Sequence, residues 1–217
     1  MKIKAILVAA ALVLSVVQAK AQIPYGNVGT VAPTNVFKAT TTGDITGYFV
    51  QGGYASGGGA GDLDFVGMLD VTTNTFSGWE FNNQTSLAGD TANFGSANAG
   101  DVLEFLLENT SITSFNNISY PSGIILSSIP ADSVDGVNHA YSTSWAGGTL
   151  NGASIPAGTY VGMEDLPVPD SDLNYNDDSF VFAGVAETSA TPEPSSFMLL
   201  GTGLLGLIEF GRRKLRG

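Results

Sequence analysis

From Val36 to Ala186 the chain reads as short apolar segments separated by turn-forming residues. The segments are Val36–Thr40, Ile45–Gln51, Phe65–Thr72, Phe76–Phe81, Val102–Glu108, Ile112–Ile118, Gly123–Ser127, His139–Trp145, Thr159–Met163 and Ser179–Ala186. Several alternate apolar with polar positions, the period of a strand with one buried face. Gly, Asn, Ser and Thr fill the gaps and mark turns. Only Asp101 to Glu108 competes as a helix, because its Leu and Glu residues favour that state; the surrounding pattern predicts a strand there. Even spacing of short strands predicts an all-β domain, an antiparallel β-sandwich or jelly roll.

The two ends follow different patterns. Lys2 and Lys4 precede an apolar run from Ala5 to Val17, and Ala19-Lys20-Ala21 follows. A charged start, an apolar stretch and an A-x-A site predict a signal helix over residues 1–21, cleaved after Ala21. The run is short for a retained membrane anchor, the alternative reading. At the other end, Thr191-Pro192-Glu193-Pro194-Ser195-Ser196 leads into an apolar run from Phe197 to Phe210, and Arg212, Arg213, Lys214 and Arg216 follow. A Pro-Glu-Pro triplet, a short apolar helix and a basic cluster, in that order, resemble the PEP-CTERM sorting tail of exosortase substrates. The same tail is also known as an ice-binding-protein C-terminal motif, a name that describes the tail alone.

The resemblance makes Pro192, Glu193 and Pro194 the sorting motif, with exosortase and the inner membrane as partners. It implies transient tethering, then release to the cell surface or medium. The physics agrees. Prolines interrupt local structure, a basic cluster stays on the cytoplasmic side, and a short span carrying Glu209 is a weak anchor. A permanent single-span anchor is the alternative. The predicted organisation is a signal over 1–21, a lead-in over 22–35 and a sandwich over 36–186. A linker over 187–196, a transmembrane helix over 197–211 and a basic tail over 212–217 complete it.

Charge separates the middle from the ends. Residues 22–191 hold one basic residue, Lys38, against eighteen acidic ones, a net charge of −17 where the whole chain has −12. Such a surface repels nucleic acid and anionic lipid and attracts cations. The chain has no cysteine, so an exported form has no disulfide and relies on its core, with bound metal as a supplement.

The acidic residues are densest between the last two predicted strands. Glu164, Asp165, Asp170, Asp172, Asn174, Asn176, Asp177 and Asp178 fall within fifteen positions. Like charges so close repel unless something offsets them, and a hard cation with six to eight oxygen ligands does so. Asp170, Asp172 and Asn174 alternate as at the start of an EF-hand loop, but Tyr175 and Val181 stand where that loop needs Gly and Glu. The sequence therefore predicts a Ca²⁺ site in a loop between strands. Its ligands are drawn from Glu164, Asp165, Asp170, Asp172, Asn174 and Asp177. The alternative is a structural turn, which Asp, Asn, Ser and Pro build through their own side chains. Asp62, Asp64 and Asp70 flank the strand Phe65–Thr72, as a second cation site or as charges that blunt a strand edge.

Met163-Glu164-Asp165-Leu166 and Ser171-Asp172-Leu173-Asn174-Tyr175-Asn176-Asp177 together resemble the signature of an uncharacterised bacterial surface domain. In that family F-E-D-L closes one strand and D-x-D-Y-N-D precedes the next. Asp135-Gly136-Val137-Asn138-His139 also resembles it. Met163 replaces an aromatic residue, and Asp178-Ser179 an apolar pair. The resemblance implies a β-rich surface module and no activity.

Catalytic chemistry has little footing here. There is one histidine, His139, no cysteine, and no G-x-S-x-G elbow. A zinc enzyme wants two or three histidines, and a Ser-His-Asp triad wants His139 beside an activated serine. The leading expectation is a non-enzymatic surface or matrix protein associated with exopolysaccharide. A carbohydrate-binding module, stacking sugars on Trp79, Trp145, Tyr141 and Tyr48, is the second. A glycosidase with an acid pair across a cleft is the third.

Overall fold

Alternation of buried and exposed positions builds two sheets from these segments. The computed structural model describes residues 23–52 and 61–189. The predicted signal helix, the transmembrane helix and the Pro192–Glu193–Pro194 motif fall outside them. In chain order the strands are β1 (Asn35–Ala39), β2 (Gly43–Gly52), β3 (Asp64–Asp70), β4 (Thr75–Asn82), β5 (Thr91–Ala97), β6 (Val102–Asn109), β7 (Ser114–Phe115) and β8 (Ile118–Ser119). β9 (Ile124–Ser127), β10 (Ala140–Trp145), β11 (Gly148–Leu150), β12 (Ala153–Ile155), β13 (Gly158–Met163), β14 (Asp178–Ala183) and β15 (Val185–Ser189) follow. One sheet has the order β15-β1-β6-β3-β4, with β9 also on β6; the other is β10-β13-β14-β2-β5. All ladders are antiparallel, as predicted.

The sheets meet through aromatic rings. Phe105 of β6 stacks on Phe182 of β14 with centroids 4.1 Å apart, and Phe81 of β4 lies over Phe180 of β14 at 5.7 Å. These rings and their aliphatic neighbours form one buried core fed by both sheets. The second sheet is covered on its outer face too. There Tyr160 and Val181 pack under Leu150 and Ile155 of the β11–β12 hairpin. β13 and β14 are therefore buried along most of both faces, and most of their residues are apolar.

Some boundaries differ from the pattern-based reading. Residues 112–118 are no single strand but the β7–β8 hairpin, because Asn116 and Asn117 adopt left-handed φ of 48° and 63° and turn the chain back. The predicted strand Ser179–Ala186 divides at Gly184, whose φ of 81° admits few side chains. Its second half, β15, pairs with β1 as far as Ser189, inside the predicted linker. Ladder hydrogen bonds do not need apolar side chains, so Glu187 and Thr188 extend the strand. β5 and the β11–β12 hairpin are strands the pattern did not mark. β6 forms in spite of its helix-favouring residues, since tertiary pairing on both sides outweighs local propensity.

The loop from β13 to β14 is fastened by Glu164. This buried carboxylate accepts hydrogen bonds from Ser171 Oγ and from the backbone N–H groups of Leu173 and Tyr175. Leu173 and Tyr175 sit at φ of 54° and 55°, a conformation that costs energy and persists only where the surroundings impose it. The Tyr175 hydroxyl then donates to Asn138 O and accepts from Ala32 N, which ties the loop to the lead-in.

Two stability changes are expected. Phe182→Ala removes a ring with no exposed surface and lowers stability by about 3–5 kcal/mol, whereas exposed Lys38→Ala stays within about 0.5 kcal/mol. Glu164→Ala strands buried loop N–H groups and costs about 2–4 kcal/mol, with Glu164→Gln closer to wild type because it keeps an acceptor. Denaturant midpoints of the four variants against wild type check both.

Candidate functional site

The six residues predicted to hold a cation separate into two places. Asp170 and Asp172 are exposed. Asp172 accepts from Asn174 N at 3.1 Å and Asn174 Nδ2 at 2.6 Å, and Asn174 Oδ1 accepts from Asn176 N at 2.9 Å. These are side-chain-closed turns. Glu164 spends its oxygens on the same loop. Asp165 and Asp177 lie elsewhere, at the end of the inter-sheet space. There Asp165 N points to Asp177 Oδ2 at 3.4 Å.

That end is built by strand register. In the second sheet Ala140, Met163, Asp178 and Gly52 form one row across β10, β13, β14 and β2. Ala140 and Met163 belong to the core, and cross-strand partners share a face, so Asp178 faces inward. In the first sheet Asp64, Asn109 and Ile124 form a row across β3, β6 and β9. Ile124 is also core, so Asp64 faces inward from the opposite side. A proton on Asp64 can be shared with Asp178, which lies within hydrogen-bond reach.

Amide side chains hold the surrounding backbone. Asn83 Oδ1 accepts from Asp64 N at 3.1 Å, while its Nδ2 donates to Asp62 O at 2.9 Å and Asp64 Oδ2 at 2.7 Å. Asn109 Nδ2 donates to Asp165 O at 2.8 Å, which bridges the two sheets. Gly52 lies so close to Asn83 that a Cβ there would stand 2.6 Å from Asn83 O. Only glycine fits without a shift.

Electrostatically the cluster is unbalanced. Asp64 is 1% exposed and Asp178 wholly buried; Asp64 Oδ1 and both Asp178 oxygens have no hydrogen-bond donor. Burial, then the neighbouring carboxylates, pushes Asp64 up to about 9, Asp177 to about 8 and Asp165 to about 7, and holds Asp178 well above the ordinary carboxylate range. Asp62 adds a further charge beside Asp64 and Asp165. No basic group among the described residues offsets these charges. Lys38 pairs with Val102 at the start of β6, and Asn109 ends that strand, about 23 Å away at strand rise. His139 is spent on Asp135 at 3.0 Å. As the side chains stand, no three acidic, imidazole or thiol groups among the described residues converge as ready metal ligands.

Sequence reading missed Asp178 as a site residue and left Asp64 as one of three flanking charges. A signal was present. In β3 Asp64, Val66 and Met68 share a parity, and in β14 so do Asp178, Phe180 and Phe182. A carboxylate on the apolar parity of a strand faces the core. Asp70 shares it too, but its Oδ1 accepts from Thr72 N and Thr73 N in the β3–β4 turn.

The aromatic and histidine candidates are placed as follows. Trp145 and Tyr141 on β10 and Tyr48 on β2 pack with the outer cluster under the β11–β12 hairpin, and Trp145 Nε1 donates to Ile155 O at 3.3 Å. Trp79 is exposed on β4, the edge of the other sheet, edge-on to Phe76 at 5.0 Å. The two tryptophans share no face. His139 has no exposed surface.

Neither the curated proteins nor the solved structures contain a match to the chain. A family model described as the PEP-CTERM protein-sorting motif matches residues 190–216, the span that holds the Pro192–Glu193–Pro194 triplet, the apolar run and the basic cluster. By that match residues 190–216 carry a PEP-CTERM protein-sorting motif, a signal that implies export and recognition by exosortase.

Proposed function

We propose that this chain is a non-catalytic structural protein of the cell surface or extracellular matrix, associated with exopolysaccharide and released from the inner membrane after sorting. The observation that carries the reading is the sorting motif joined to a strongly acidic β-domain. A net charge far from zero keeps such a domain soluble and apart from anionic surfaces once outside the cell. Burial of His139 against Asp135 supports a structural role for the one histidine. Packing of Tyr48, Tyr141 and Trp145 supports the same for three of the four aromatic residues that a sugar platform would need. The carbohydrate-binding reading keeps one observation in its favour, the exposed Phe76–Trp79 pair on β4.

Fractionation of the native host with intact-mass measurement tests the reading. The wild-type chain is expected at the surface or in the medium, with a mass ending near residues 192–196. The variant with Pro192, Glu193 and Pro194 all changed to Ala is expected in the inner membrane with its tail intact. A surface form that retains residues 197–217 contradicts tail removal. Normal release of the triple variant contradicts sorting through the triplet.

A further inference from the structure

We propose that the end of the inter-sheet space bounded by Asp64 and Asp178 binds one calcium ion, with Asp165 and Asp177 at its rim. The inference is independent of the surface-protein reading. It places the ion between the sheets and not in the outer turn of Asp170, Asp172 and Asn174.

The first support is the unpartnered oxygens. Asp178 has no exposed surface and neither of its carboxylate oxygens meets a donor, and Asp64 Oδ1 is in the same condition. Buried polar atoms in native proteins have partners, and an orphan calls for a missing water, ion or special role. Two inward carboxylates from opposing sheets, with three more acidic side chains beside them, favour an ion over a water, because a water leaves the charge in place.

The second support is the chemistry of the donors. Every side-chain donor at the site is oxygen, and the described residues contain no cysteine and no second histidine. Oxygen-only sites select hard cations. Asp64 and Asp178 are fixed by strand register, whereas Asp165 and Asp177 lie on the loop that follows β13 and precedes β14. Half-buried loop ligands can close on an ion that enters from the rim. A partly adjustable set suits the six to eight oxygens at 2.3–2.6 Å that calcium accepts, and suits poorly the rigid octahedron of magnesium.

The outer turn lacks both supports. The oxygens of Glu164, Asp172 and Asn174 already accept hydrogen bonds from their own loop, and Asp170 and Asp172 are exposed. A proton shared between Asp64 and Asp178 is the competing occupant of the inner site, and calcium binding separates the two.

Calorimetric titration of the purified full-length chain with Ca²⁺ at pH 7.5, alongside thermal unfolding with chelator and with millimolar Ca²⁺, is the test. One ion is expected per chain, with a rise in unfolding midpoint and a much smaller rise with Mg²⁺. Asp178→Asn is expected to weaken binding by at least about tenfold and to erase the shift, while its midpoint in chelator equals or exceeds that of wild type. Asp172→Asn is expected to bind as wild type does. Where Asp178→Asn does not fold, Asp165→Asn, altered at the half-buried rim, decides through the same loss of affinity. No binding by wild type leaves the shared proton as occupant and overturns the proposal. Wild-type affinity in the Asp178 or Asp165 variant overturns it, and so does loss of binding in Asp172→Asn.

Discussion

The burial of Asp178 and Asp64 between two hydrophobic sheets is the constraint on which this domain turns. Aromatic packing drives the sheets together along most of their length. At one end the same strands deliver two carboxylates into the gap, where an uncompensated charge costs several kcal/mol. The fold can tolerate that end only with a proton or a cation between the groups. The neighbouring amides support this arrangement. Asn83 fixes the backbone and one oxygen of Asp64, and Asn109 holds the chain at Asp165 from across the gap. Neither supplies a donor to Asp178.

The loop of Glu164 to Asp177 is organised around this end without being the site itself. Glu164 gathers three donors from its own loop, and Tyr175 fastens the loop to residues 32 and 138. The outcome is that Asp165 and Asp177, at the two ends of the loop, are brought beside each other at the mouth of the gap. Acidic residues within one short stretch thus divide into those that close turns and those that face a shared interior. In a chain exported without cysteine, a bound ion at this end would fasten β3 to β14 where disulfides are absent.

Much of the architecture was legible in the pattern. Alternation in β1, β2 and β6, and the apolar runs of β13 and β14, locate strands that the structure contains. Asn151-Gly152 was a readable hairpin signal for β11–β12, with φ of 46° and 87°. β5 was hidden because its sequence, Thr91–Ala97, buries only Phe94 and Ala97. The site was legible only in part. Local density marked Asp165 and Asp177, but density does not distinguish carboxylates that fold back on their own turn from those that face a partner sheet. Asp64 and Asp178 are distant in sequence and meet only through the pairing of β14 with β2 and the facing of two sheets. Their parity with apolar neighbours was present in the sequence, whereas their encounter was a property of the tertiary fold.

Anomalous diffraction from crystals of the protein grown with millimolar Ca²⁺ locates the ion. One peak is expected between Asp64 and Asp178, within ligand distance of Asp165 or Asp177. A peak at Asp170, Asp172 and Asn174 instead, or no peak with the Asp64 and Asp178 carboxylates in direct contact, would contradict it.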